Sequence, residues 1–127
     1  MSNEINNVKK KLDDVLSAFC EVSWMFVKNP ECDFTRNRKL SFRKVISFLL
    51  SMEGGSLSNE LMKHFGCSSD IASASAFVQQ RDKINSDAFP SLFGLFVKKT
   101  DNKKLYKGYR LFAADGSDIH IPTNSDD

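Results

Sequence analysis

Residues 56–83, SLSNELMKHFGCSSDIASASAFVQQRDK, decide how the rest of this chain is read. Leu57, Leu61, Met62 and Phe65 recur at helical spacing, and Ser56 or Ser58 stands where a cap belongs. Gly66 ends that helix at the position where a left-handed residue is usual. Cys67-Ser68-Ser69 then reads as a turn. Ser69 can cap the next helix, with Asp70 favourably placed in its first turn. The inner face of that helix would carry Ile71, Ala74, Phe77 or Val78, and Ile84. Its outer face would carry Ser73, Gln79, Gln80 and Lys83. A short helix, a glycine-containing turn and a second helix with a polar outer face make a helix-turn-helix signature. Gln pairs bidentately with adenine, and Ser and Lys reach phosphates or guanine. Plain packing of a helical hairpin shares the same pattern.

Upstream, Ile5, Val8, Leu12, Val15, Phe19, Val22 and Phe26 alternate in steps of three and four, one apolar stripe on a helix that Asn29-Pro30 stops. The stripe could serve as a coiled-coil seam, but the heptads stop early, and packing against later helices is the reading preferred. Residues 30–40 have no periodicity and read as a loop. Ser41 caps a helix that turns Phe42, Val45, Ile46, Leu49 and Met52 inward and ends at Gly54-Gly55.

Downstream, Ser86 or Asp87 opens a helix with Phe89, Leu92, Phe93 and Phe96 on one side. Asp87 as the cap places Pro90 in the first turn, where its missing N–H costs nothing. Lys98 and Lys99 close the helix against its dipole. The period then changes. Residues 109–114, YRLFAA, are a nearly continuous apolar run, as in a strand buried on both faces. Asp115-Gly116-Ser117-Asp118 is turn chemistry, and Ile119-His120-Ile121 reads as a second strand ending at Pro122.

The formal net charge of +2 implies no partner by itself, but its distribution does. Residues 28–44 hold Lys28, Arg36, Arg38, Lys39, Arg43 and Lys44 against Glu31 and Asp33. Residues 98–110 hold Lys98, Lys99, Lys103, Lys104, Lys107 and Arg110 against Asp101 alone. From Leu111 onward there is no Lys or Arg. Two basic patches fit a polyanion-binding part, or a pair of solvated loops.

Cys20, Cys32 and Cys67 are odd in number and lack CxxC spacing, which argues against a disulfide framework and for a reducing compartment. Cys67 reads as a small buried hydrophobe. His64 and His120 read as surface or packing residues without ligand spacing. The start MSNEINNVKK is no secretory signal, and no apolar stretch approaches the ~20 residues that span a bilayer. The expected place is the cytoplasm, with no membrane partner.

Asp115 lies at the exit of the apolar run among Ala113, Ala114 and Gly116. Local sequence allows an Asp-Gly turn, and it also allows a hard carboxylate ligand for Mg²⁺. Residues 73–93 (SASAFVQQRDKINSDAFPSLF) and 106–124 (YKGYRLFAADGSDIHIPTN) together resemble the N-terminal part of bacterial insertion-sequence transposases of family four. Ala76, Phe77 and Arg81 match a helix of that family. The resemblance implies a helical DNA-binding region ahead of an RNase H-like core, whose Asp-Asp-Glu triad uses two Mg²⁺ ions. It makes Asp115 the first catalytic and metal-binding Asp.

The resulting expectation is a mainly α chain. A helical DNA-binding bundle with a helix-turn-helix would occupy residues 1–100, and the first β-hairpin of an incomplete RNase H-like core residues 101–127. The second Asp and the Glu are missing, so the chain is expected to be a truncated or partial transposase. It would bind transposon-end DNA for cut-and-paste transposition without cutting it, and would hold no Mg²⁺ tightly. The residues expected at double-stranded DNA are Ser69, Ser73, Gln79, Gln80, Lys83, Arg36, Arg38, Lys39 and Arg43, and a homodimer on nucleoid DNA is compatible with them. The alternative is a stand-alone helix-turn-helix regulator, and an inactive remnant is a third reading.

Overall fold

A computed structural model describes residues 1–101 and 105–116. The described residues hold five α-helices: α1 (Ser2–Glu21), α2 (Phe42–Ser51), α3 (Leu57–Phe65), α4 (Ala74–Arg81) and α5 (Ala88–Thr100). A turn of 3-10 helix, Ser23–Phe26, follows α1. The mainly helical class expected from the periodicities is what forms.

Helix α1 ends earlier than its stripe suggests. In a continuous α-helix Phe19 and Phe26 would be separated by ~10 Å along the axis. The tighter turn brings their rings to 4.5 Å, stacked. It also frees Val27 to bridge Ile84 in an antiparallel pair. Tertiary pairing overrides local helical preference here.

The core runs from Val15 to Leu92. Phe19, Phe48, Phe77, Ile46, Leu61 and Val45 are its largest fully buried side chains. The ring of Phe48 meets Phe77 edge-on at 4.6 Å and Phe65 at 5.9 Å, so α2, α3 and α4 share one aromatic cluster. Helix α1 packs chiefly along α5.

Local signals hold at several helix ends. Ser41 Oγ accepts from the Lys44 amide at 3.3 Å and opens α2. Asp87 precedes α5 and Pro90 falls in its first turn. Gly66 leaves α3 at φ +88, a region that L side chains rarely adopt.

Helix α4 begins later than expected. Ser73, not Ser69, caps it, accepting from the Ala76 amide at 3.2 Å. Residues 66–73 form a connection longer than the three- or four-residue turn of a helix-turn-helix. Asp70, expected in the first turn of the helix, is engaged instead by Lys39.

Faces also differ from the periodic reading. Met52 and Met62 are exposed, and Phe48 takes the buried place on α2. Glu60 of α3 is buried, its Oε1 accepting from the amides of Glu53 (3.3 Å) and Gly55 (2.8 Å). The α2–α3 turn thus closes around a carboxylate. On α5, Leu92 is buried and Phe96 half-buried, whereas Phe89 and Phe93 face outward. These four positions share one arc of about 100° on the helix, and only its Leu92–Phe96 edge meets the core.

The expected first strand, residues 109–114, does not form. Residues 110–116 are exposed and carry no regular structure. A strand is held by pairing with a neighbouring edge, and among the described residues none lies beside it. A tight turn precedes this segment. Tyr106 and Tyr109 exchange two backbone hydrogen bonds of 2.9 Å around Lys107 (φ +50) and Gly108 (φ +83). Positive φ at both central residues is what a type I′ turn requires. The expected second strand, 119–121, lies outside the described residues.

Candidate nucleic-acid interface

The basic loop between Lys28 and Lys39 is far in sequence from α4, yet backbone bonds clamp them together. The Lys28 amide donates to the Lys83 carbonyl at 2.9 Å, and the Asn85 amide donates to the Phe26 carbonyl at 2.8 Å. The Asn85 side chain donates to the Val27 carbonyl at 3.3 Å. This clasp sets the loop beside the C-terminal end of α4.

Within the loop, Asp33 accepts from the Asn29 amide at 2.9 Å, and Thr35 donates to the Cys32 carbonyl. Phe34, at φ +58, lays its ring edge-on against Phe42 at 5.6 Å. Leu40 is buried. Anchored at these points, the loop carries Arg36, Arg38 and Lys39 outward, all exposed.

A groove of about 780 Å³ lies between the loop and α4, with Arg38, Lys39, Ser73 and Gln80 on its polar sides and Leu40, Ile71, Ala72 and Ala76 as its apolar floor. An adjoining cavity of about 330 Å³ is lined by Arg36, Arg38, Gln80 and Lys83, with Glu31 and Asp33 at its acidic side. Lys83 donates to the Gln80 Oε1 at 3.3 Å. That orientation leaves the Gln80 amide hydrogens to other acceptors.

Lys39, on the groove wall, pairs with Asp70, Nζ to Oδ1 2.5 Å, in a neighbouring pocket. The hydrogen bond and charge of Lys39 hold the Asp70 carboxyl below the usual carboxylate range.

Six of the expected DNA-contacting residues therefore line one continuous surface: Arg36, Arg38, Lys39, Ser73, Gln80 and Lys83. Three stand apart from it. Arg43 turns to α1, where it donates to Ser17 Oγ at 2.8 Å and pairs with Asp13. Its place on the first turn of α2 aims it at α1, so it serves as an interhelix tie. Ser69 is exposed in the α3–α4 connection and Gln79 is exposed on α4, neither lining the groove. Asn37 and the apolar floor were not legible in the sequence. Nor was the Lys39–Asp70 pair, since no spacing rule links positions on separate loops.

His64 has the expected packing role, its Nδ1 2.9 Å from Ser51 Oγ and its ring edge-on to Phe48 at 5.5 Å. Cys67 is exposed, against the reading of a buried hydrophobe, because it sits in a connection that runs over the surface.

Asp115 is exposed. Among the described residues no three His, Cys, Asp or Glu side chains gather where they could hold a metal ion. Asp118, Asp126 and Asp127 lie outside the described residues. Among the described residues no helix is long and apolar enough to cross a membrane. No protein-family model, curated protein or solved structure matches this chain.

Proposed function

We propose that this chain binds double-stranded DNA across the face shared by the basic loop and α4, as the DNA-binding region of an insertion-sequence transposase. One observation carries the reading: Arg36, Arg38 and Lys39 line the groove and its adjoining cavity together with Ser73, Gln80 and Lys83, although more than thirty residues separate the two sets.

In this reading the guanidinium groups of Arg36 and Arg38 and the ammonium of Lys83 take backbone phosphates and set the register. Gln80, with free amide hydrogens beside its accepting oxygen, reads a base edge, and Gln79 lies one position away on the exposed surface of α4. Helices α3 and α4 then act as a helix-turn-helix variant with an extended connection. The targets are the terminal inverted repeats of the element, which places the protein with nucleoid DNA in the cytoplasm. Asp115 belongs, in the same reading, to the first segment of an RNase H-like core.

The test is recovery of sheared genomic DNA on the purified protein, followed by sequencing. Enrichment at inverted repeats flanking its own reading frame supports the reading. Enrichment at unrelated promoters would replace it with a stand-alone regulator. Only a salt-sensitive, sequence-independent background would overturn both.

A further inference from the structure

The hydrogen bond between Lys83 and Gln80 fixes what Gln80 can offer a base. An ammonium only donates, so the atom 3.3 Å from Lys83 Nζ is the amide oxygen of Gln80. The bond is part-buried, where water competes less for either group. The backbone beneath it is held as well. The Lys83 amide donates to the Gln80 carbonyl at 3.2 Å, and the Lys83 carbonyl accepts from the Lys28 amide at 2.9 Å. Gln80 therefore meets a ligand through its Nε2 hydrogens, with a positive charge beside its oxygen.

A free glutamine suits adenine, donating to N7 and accepting from the N6 amino group. Gln80 is not free. An adenine N6 amino group would have to share an oxygen that Lys83 already occupies, and would lie close to the ammonium. Guanine presents acceptors alone, N7 and O6, along the same edge. The cavity that Gln80 and Lys83 line also has an acidic side, formed by Glu31 and Asp33. Asp33 already accepts from the Asn29 amide at 2.9 Å, and Glu31 is exposed. Across the major groove a G·C pair shows acceptor, acceptor and then the N4 donor of cytosine, whereas A·T shows acceptor, donor, acceptor. Donors on one side of the cavity and a carboxylate on the other match the first order and not the second.

We infer that this cavity reads a G·C pair, with Gln80 donating to guanine, Lys83 holding the Gln80 amide in place and Glu31 accepting from the cytosine amino group. The inference rests on the DNA-binding reading above and names the base pair that the same site selects. Lys83 keeps two protons for the phosphate assigned to it, and toward the base it is a positioning residue.

Selection from a pool of randomised duplexes, run with the full chain and its variants, tests this. The wild-type chain should enrich one position at which guanine exceeds adenine by about tenfold, and Gln80→Ala should erase that preference. Lys83→Met keeps the apolar stem but frees the amide. It should move the preference at that position from guanine to adenine, a change that a merely structural role would not produce. Glu31→Ala should lower the discrimination by roughly threefold or more. It should also tighten binding to random duplex, since a negative charge leaves the surface. Unchanged helical circular dichroism shows that each variant is folded. A wild-type preference for adenine at the Gln80-dependent position overturns the inference and leaves the DNA-binding reading standing. So does a Lys83→Met chain that still selects guanine, or a Glu31→Ala chain with undiminished discrimination. Binding without any sequence preference overturns both.

Discussion

Lys39 and Asp70 join the loop ahead of α2 to the connection between α3 and α4 through an ion pair of 2.5 Å. Lys39 is one of the basic residues on the groove wall, whereas Asp70 lies in the neighbouring pocket that Lys39 also lines. An acidic group there occupies one of the basic side chains of the groove wall.

Under the DNA-binding reading, Asp70→Asn should therefore tighten duplex binding, by roughly twofold to fivefold, as expected for release of a surface ion pair. The log–log slope of affinity against salt should steepen by about 0.9, the value for one added phosphate contact. The folded-state Asp70 carboxyl is depressed, so the pair is fully formed above the ordinary carboxylate range and is lost as pH falls through the lowered value. Fluorescence anisotropy over a salt series checks both expectations. An unchanged slope would mean that Lys39 never reaches a phosphate.

Arg38 and Gln80 should differ in kind. Arg38→Ala should weaken binding to every duplex about equally and flatten the salt slope by about 0.9. Gln80→Ala should cost preference between sequences more than affinity overall. Arg43→Ala is the control. With Asp13 and Ser17 left unpaired, it should lower unfolding stability by up to about 1 kcal/mol and leave the salt slope alone. Competition between specific and random duplexes separates the three.

Glu60 holds the α2–α3 turn through two backbone amides. Glu60→Ala leaves those donors without a partner and should cost about 1–3 kcal/mol in denaturant unfolding. Gly55→Ala should also destabilise, because a Cβ there would meet Glu60 Oε1 at 2.9 Å. Combined, the two losses should be less than additive, since the clash disappears with the carboxylate.

The three cysteines should separate by reactivity. Burial pushes the Cys20 thiol up, with Arg43 opposing only in part, while Cys32 and Cys67 are exposed. A thiol-alkylating reagent near neutral pH should label Cys32 and Cys67 rapidly and Cys20 slowly, because the thiolate is the reacting form. The raised folded value also means that stability linked to Cys20 is complete below the unfolded thiol value and declines as pH rises through the folded one. Mass spectrometry of timed quenches reads the order. Equal rates at all three would show that Cys20 opens to solvent.

Sequence by itself determined what depends on neighbours within a turn or two. The apolar spacing of Phe42, Val45 and Ile46, the Ser41 cap, and Asp87 with Pro90 at the start of α5 specify helices through local hydrogen bonding and backbone geometry. The basic character of residues 36–39 was equally plain, because charge is a property of composition. Tertiary structure decided the rest. Which face of α5 is buried depends on where α1 lies, and Phe93 carries no mark that distinguishes it from Leu92. Arg43 reads like Arg38 until α1 brings Asp13 to it. Asp70, expected in the first turn of α4, pairs instead with Lys39, thirty-one positions away in the chain. Periodicity and capping act over one or two helical turns, whereas these contacts form only after chain segments meet, so their energies leave no pattern in the local sequence.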